Sequence, residues 1–118
     1  GKLSRDSKFA PDDHRTFNRH GESFDRGETF SGLDYDTGLK AVEALRPLLP
    51  PSQTMAQMAL RWILMFPAVT CAIPGAKHPQ QARENIQAAS LPPLPDNTME
   101  EITNIYNRYV RPLVHHYW

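Results

Sequence analysis

The residues with the best chance of doing chemistry fall in one stretch: Thr70-Cys71-Ala72-Ile73-Pro74-Gly75-Ala76-Lys77-His78-Pro79-Gln80-Gln81-Ala82-Arg83-Glu84-Asn85. It starts as a short apolar run of β-prone residues, breaks at Pro74-Gly75, and restarts as a helix near Pro79. A strand that turns into a helix presents backbone N–H groups at the helix start, where an anion can sit. Lys77 adds a positive charge at that turn. Gln81 lies three and four residues before Glu84 and Asn85, so the three polar side chains share a helix face. A phosphate bound at the turn with an adenosine along the helix fits this pattern. A strand–turn–helix unit that binds nothing also fits it, and spacing alone leaves both readings open.

The elements needed to hold such a stretch follow from hydrophobic periodicity. Leu39, Val42, Leu45 and Leu49 recur at helical intervals, with Asp34 or Asp36 able to cap the start and Pro47 and Pro50-Pro51 to end it. A second helix opens at Ser52 or Thr54 and runs to about Met65; Met55, Met58, Ala59, Trp62, Ile63 and Phe66 form its apolar face. Those methionines and Trp62 read as core. Val69 to Ile73 is an apolar run of strand length without alternation, as expected for a strand covered on both faces. After the turn, Pro79 to about Ala89 forms a helix with Ala82, Ile86 and Ala89 inward, and Pro79 suits its first turn. Leu91-Pro92-Pro93-Leu94-Pro95 links to a last helix capped by Asp96, Asn97 or Thr98, with Met99, Ile102, Ile105, Tyr106 and Tyr109 as its buried stripe. Arg111-Pro112 ends it. The tail to Trp118 carries His115-His116 beside two aromatics; packing on a neighbour suits it better than a metal or substrate site, because adjacent residues of an extended tail point apart.

Residues 1–31 read differently, as loop rich in charge and glycine. Phe9, Phe17, Phe24 and Phe30 are spaced too irregularly for one face and read as separate anchors. Lys2, Arg5, Lys8, Arg15, Arg19 and Arg26 are a solvated basic scatter, or else one or two of them reach a phosphate. Such a segment cannot fold alone, because it buries too little apolar surface to offset its ordering entropy.

The chain as a whole has 118 residues, zero formal net charge and one cysteine. Balanced charge supplies no field to attract nucleic acid or an anionic membrane, and no apolar run is long enough to cross a bilayer. The polar start contains no signal peptide, so a cytoplasmic location is expected. Cys71 excludes an internal disulfide framework and, lying in the apolar run, is expected to be a small buried hydrophobe. No His/Cys pairing has the spacing of a zinc site, so no metal is expected. One strand among four helices cannot satisfy its own backbone, so the pattern asks for partners outside this sequence: the missing strands of a parallel sheet or another copy of the chain.

Ala59-Leu60-Arg61-Trp62, then Ile73-Pro74-Gly75-Ala76-Lys77, then Gln81 and Glu84-Asn85 resemble the C-terminal third of the aldo-keto reductases. Within the family the resemblance is to bacterial members related to the potassium-channel β-subunit branch. It covers essentially the whole chain, with the Ile-Pro-Gly…Gln…Glu-Asn order as its most specific part. It implies an α/β fold class: a C-terminal fragment of an NADP-dependent (β/α)8 TIM barrel, mostly helical as an isolated chain, with one or two parallel strands. On this reading residues 1–33 are the loop after barrel strand 7 and residues 34–66 a helical region. Residues 69–73 are strand 8, 79–89 helix 8, 96–110 the C-terminal helix and 111–118 the tail.

The resemblance also implies an activity, the reduction of aldehydes and ketones with NADPH, and a small carbonyl substrate. The family's catalytic Tyr, Lys, Asp and His belong to the first half of the barrel, so Tyr35, Tyr106 and the histidines take no such role. What carries over is the adenosine end of the cofactor. Gly75 and Lys77 match positions at the 2′-phosphate, Gln81 one facing that phosphate and its ribose, and Glu84 and Asn85 those holding adenine. Lys77 is a cation where some relatives have serine. Gln81 stands where other branches place an arginine, which removes guanidinium stacking on adenine. Lys2 matches a lysine that reaches the pyrophosphate, and Arg15 aligns loosely with a second loop arginine. NADP(H) is therefore expected in the complete protein, with none held tightly by this fragment. A non-enzymatic, self-assembling helical module without cofactor is the alternative.

Overall fold

Capping and proline placement decide where the helices begin. In the computed structural model, which describes residues 3–117, six α-helices follow in order. They are α1 (His14–Phe17), α2 (Tyr35–Leu45), α3 (Met55–Ile63), α4 (Pro79–Gln87), α5 (Asp96–Ile105) and α6 (Arg111–Val114). Asp34 caps α2, its carboxylate accepting from the Thr37 N–H at 2.9 Å. Thr54 and Gln57 form a reciprocal capping box on α3: the Gln57 N–H donates to Thr54 Oγ1 at 3.1 Å and the Thr54 N–H to Gln57 Oε1 at 3.0 Å. Pro79 occupies the first turn of α4, where its missing N–H removes no helical bond. Helix α5 starts at Asp96, which puts Pro95, rather than Asp96, Asn97 or Thr98, at the cap position.

The chain divides into two compact units. One is built from Arg46–Glu101. Its core gathers Met58 of α3, Ala88 of the 3-10 turn after α4, and Leu94 of the proline-rich linker. Gln57 ties α3 to α4 by donating through Nε2 to the Glu84 carbonyl at 3.3 Å. Arg61 Nε reaches the Pro92 carbonyl at 3.3 Å and so holds the linker.

The expected strand over 69–73 does not form, and no strand is present among the described residues. The physical reason is pairing: a strand exists by its ladder, and residues 70–76 have no backbone partner here. The side chains of the run are consequently open. Ile73 is 94% exposed, and Cys71 is exposed rather than buried. The inward stripe expected on α4 is likewise uncovered, with Ile86 73% exposed and Ala89 exposed.

The other unit comprises Lys2–Leu45 and Ile102–Trp118. Here the N-terminal stretch is more ordered than a bare loop. Asp13 caps α1 through the Arg15 N–H at 2.9 Å, and 3-10 turns form at Arg26–Glu28 and Phe30–Gly32. Asn18, fully buried, is the centre of a polar network. Its Oδ1 accepts from the Ser23 and Phe24 N–H groups at 2.8 and 2.9 Å, and its Nδ2 donates to Thr29 Oγ1 at 3.2 Å. The phenylalanines are not separate anchors. Phe9 and Phe30 cluster with Tyr35, with centroids 4.8–6.1 Å apart, and Phe17 meets Phe24 edge-on at 6.0 Å.

Helix α2 packs against Tyr106–Val110, a π-helical turn that continues α5. The tail is helical as well: Pro112 sits in the first turn of α6, which Arg111 opens rather than closes, and a 3-10 turn follows at His115–Tyr117. Its histidines and tyrosines pair locally, Tyr106 Oη lying 2.7 Å from His115 Nδ1.

Candidate functional site

The turn ahead of α4 is shaped by side chains of the helix that follows it. Gln81 Oε1 accepts from the Lys77 backbone N–H at 2.7 Å, and Asn85 Nδ2 donates to the Gly75 carbonyl over a longer 3.4 Å. The two helix residues are four apart, one turn of α4, and they grip the backbone on either side of Ala76. Four of the residues singled out by spacing (Gly75, Lys77, Gln81 and Asn85) are thus joined directly. Glu84 shares the helix but is engaged elsewhere, its Oε1 accepting from Gln80 Nε2 at 2.9 Å.

The donors available to an anion here are fewer than at a bare helix start. Pro79 has no N–H, the Gln81 and Ala82 N–H groups go to the His78 carbonyl at 3.0 and 3.3 Å, and Gln81 already holds that of Lys77. His78, the N-cap residue, makes no side-chain capping hydrogen bond. Positive charge at the turn therefore rests mainly on the Lys77 ammonium, which is exposed and has no ion-pair partner among the described residues. A point charge on a flexible stem suits a phosphate without demanding fixed geometry.

Gly75 is not required by its backbone angles, since positive φ among the glycines is confined to Gly21 and Gly32. A Cβ placed on it would meet nothing within 4 Å, so the space above this residue is open. Beside the turn lies an apolar cleft of about 420 Å³ lined by Leu60, Leu64, Ala72, Pro74, Asn85 and Ile86 among others.

The two remaining candidates are placed differently. Lys2 lies outside the described residues. Arg15 belongs to the other unit, where its guanidinium pairs with the Asp13 carboxylate through Nε and Nη2 and stacks over Phe9 at 4.3 Å. That pairing pushes the Asp13 carboxyl far below the ordinary carboxylate range, first through the Arg15 side chain and next through its backbone N–H. Among the described residues no cluster of three or more His, Cys, Asp or Glu could hold a metal, and no helix is long and apolar enough to cross a membrane.

Spacing missed two residues at this site. Gln80 fixes Glu84, and the i,i+4 relation of the pair was the available signal. Gln57 supports α4 from α3, and Thr54-x-x-Gln57 has the pattern of a capping box.

In this unit the braced turn, the exposed Lys77 and the apolar cleft lie together. The aldo/keto reductase family model matches residues 1–107, and the chain belongs to that family. No curated protein and no solved structure matches it.

Proposed function

We propose that this chain is part of an oxidoreductase that reduces aldehydes and ketones with NADPH. It supplies the adenosine 2′-phosphate side of the cofactor site and none of the groups that transfer hydride or proton. The observation that carries this reading is the Gly75–Lys77 turn: a side-chain-braced backbone, an open face at Gly75 and an exposed ammonium with no ion-pair partner among the described residues. Lys77 meets the phosphate by charge, Gln81 lies beneath it, and Glu84 and Asn85 face the adenine. By the family resemblance alone, Lys2 corresponds to a lysine that reaches the pyrophosphate and Arg15 to a second loop arginine. The parent fold is a (β/α)8 barrel, which takes about 250 residues, and residues 69–73 are the strand that such a barrel would pair. NADP(H) then binds the complete protein, and the 118-residue chain holds it weakly because half of the groove is absent.

Two measurements test this. The purified chain is expected to show no carbonyl-dependent NADPH oxidation, and calorimetry is expected to find NADPH affinity weaker than micromolar. Joined to the first half of the barrel, the same sequence is expected to turn over carbonyls with NADPH, and Lys77→Glu to raise the KM for NADPH while leaving that for NADH unchanged. Turnover by the chain alone that Lys77→Glu abolishes would overturn the reading.

The open apolar surface at Ile73, Ile86 and the cleft also favours a second reading, a module without cofactor that covers this face with another copy of itself. Sedimentation separates the two, since a concentration-dependent dimer supports self-assembly and a monomer that gains activity with the barrel half does not.

A further inference from the structure

The side chain of Gln81 spends its acceptor on the protein's own backbone, and this assigns it a role distinct from touching a ligand. We infer that Gln81 is a positioning residue that holds the Lys77 turn in shape through the Lys77 N–H, so that the ammonium is presented from a fixed backbone. The inference rests on the proposed cofactor reading for its purpose, though not for its geometry.

Three features carry it. The Lys77 N–H to Gln81 Oε1 bond, at 2.7 Å, is the shortest contact between the turn and α4. The other hydrogen bond between them among the described residues, from Asn85 Nδ2 to the Gly75 carbonyl, is 3.4 Å long and weaker, so Gln81 dominates the brace. The backbone gives the turn little support: residues 70–76 make no backbone–backbone hydrogen bonds among the described residues, and a Cβ at Gly75 would touch nothing within 4 Å. A segment tethered at so few points moves freely once the shorter tether is lost. Lys77 on a loose turn would spread its charge over many positions and lose entropy on binding a phosphate.

The acceptor oxygen matters here, rather than the bulk or length of the side chain. Gln81→Glu keeps reach and acceptor; Gln81→Met keeps reach and helix propensity but has no acceptor for an N–H; Gln81→Ala removes both. All three residues are good helix formers, so α4 is retained in each.

The test uses the isotopically labelled chain without ligand. Amide hydrogen exchange at Lys77 is expected to be roughly three- to tenfold faster in Gln81→Met and Gln81→Ala, as expected for loss of one hydrogen bond. The Lys77 amide proton should shift upfield in both variants. Gln81→Glu should restore both readouts, which a purely structural loss in the helix would not do. Unchanged exchange and shift at Lys77 in Gln81→Met would overturn the inference. Titration with adenosine 2′-phosphate then separates it from the reading it deepens. Spectral changes at residues 75–81 in the wild type, weakened in Gln81→Met, support both. A wild-type chain that protects Lys77 yet ignores the nucleotide rejects the cofactor reading while the positioning role stands.

Discussion

In the unit made from Lys2–Leu45 and Ile102–Trp118, polar and aromatic groups are turned inward: Asn18 and Thr29 are buried and hydrogen-bonded, and Phe9, Phe30 and Tyr35 share one cluster. In Arg46–Glu101 the opposite holds for residues 70–76 and the outer side of α4, where isoleucines face solvent and the backbone has no ladder. Composition alone would rank them the other way, since the charged, glycine-rich N-terminal stretch is the poorer in aliphatics. The difference shows that local polar networks can order a segment that lacks a core, whereas a buried-strand sequence stays open without partners. The open region is also the one whose turn carries Lys77, so the surface that most needs a partner adjoins the candidate cofactor site.

The first way to break this contrast is at Asn18. Asn18→Ala removes the acceptor of two part-buried backbone N–H groups and the donor of a buried bond to Thr29 Oγ1. Leaving such groups unpaired costs about 2–4 kcal/mol, to be read as a lower urea midpoint. A loss under about 1 kcal/mol would show that the N-terminal stretch is not ordered by this network.

Two glycines sharpen the same contrast. Gly32 has φ +73° and follows Phe30 and Ser31, which also have positive φ at 51° and 55°. Gly32→Ala is expected to destabilise by about 1–2 kcal/mol through the left-handed backbone, and Ser31→Gly to stabilise by up to about 1 kcal/mol. Gly75→Ala, with open space around it and no positive φ, is expected to change stability by less than about 0.5 kcal/mol. In the assembled protein the same substitution should impair NADPH binding if a phosphate comes close to that backbone.

How much of this could be read in the sequence depends on range. The helices were legible because Leu39, Val42 and Leu45, or Ile102 and Ile105, repeat at helical spacing and their capping residues are local. That Gln81, Glu84 and Asn85 follow the Gly75–Lys77 turn on one helix was legible for the same reason, whereas the bonds by which Gln81 and Asn85 brace the turn were not. Residues 69–73 form no strand among the described residues: an apolar run records that a strand can be covered, not that a partner is present to pair with it. Phe9, Phe30 and Tyr35 were invisible as a cluster because nothing in their spacing brings them together. Arg15 reads as a solvated loop cation or a phosphate contact, and its pairing with Asp13, two residues away, is not signalled by spacing. The barrel assignments of the segments came from resemblance to the family, which physical pattern could not supply.

Acid probes the ordered unit. The Thr37 N–H holds the Asp34 carboxyl below its usual range, and the Arg15 side chain and the His20 backbone N–H do the same for Asp13 and Glu22. A carboxyl whose folded pKa is depressed adds stability that is complete above its unfolded value, about 4. That stability is lost as pH falls through the lower folded value. Stability is therefore expected to decline below about pH 4, with Asp34 contributing about 1 kcal/mol as a helix cap. Asp34→Asn keeps the cap and removes the titration, so the acid slope should become shallower. An unchanged slope would assign the decline to the other carboxylates.

The smallest expected effect is the most discriminating for the open unit. Ile73→Lys exchanges an apolar side chain that is 94% exposed for a charged one, so the isolated chain should change by less than about 0.5 kcal/mol. Solubility should rise, because an exposed apolar site has been removed. In a complete barrel the same lysine would be buried beside paired strands, where an unpaired charge costs several kcal/mol. The two backgrounds thus give opposite answers under the cofactor reading. A loss above about 1 kcal/mol in the isolated chain, tracking protein concentration, would mean that a second copy already covers Ile73. That result would favour the self-assembling module, and it would place the partner on the face beside the Lys77 turn.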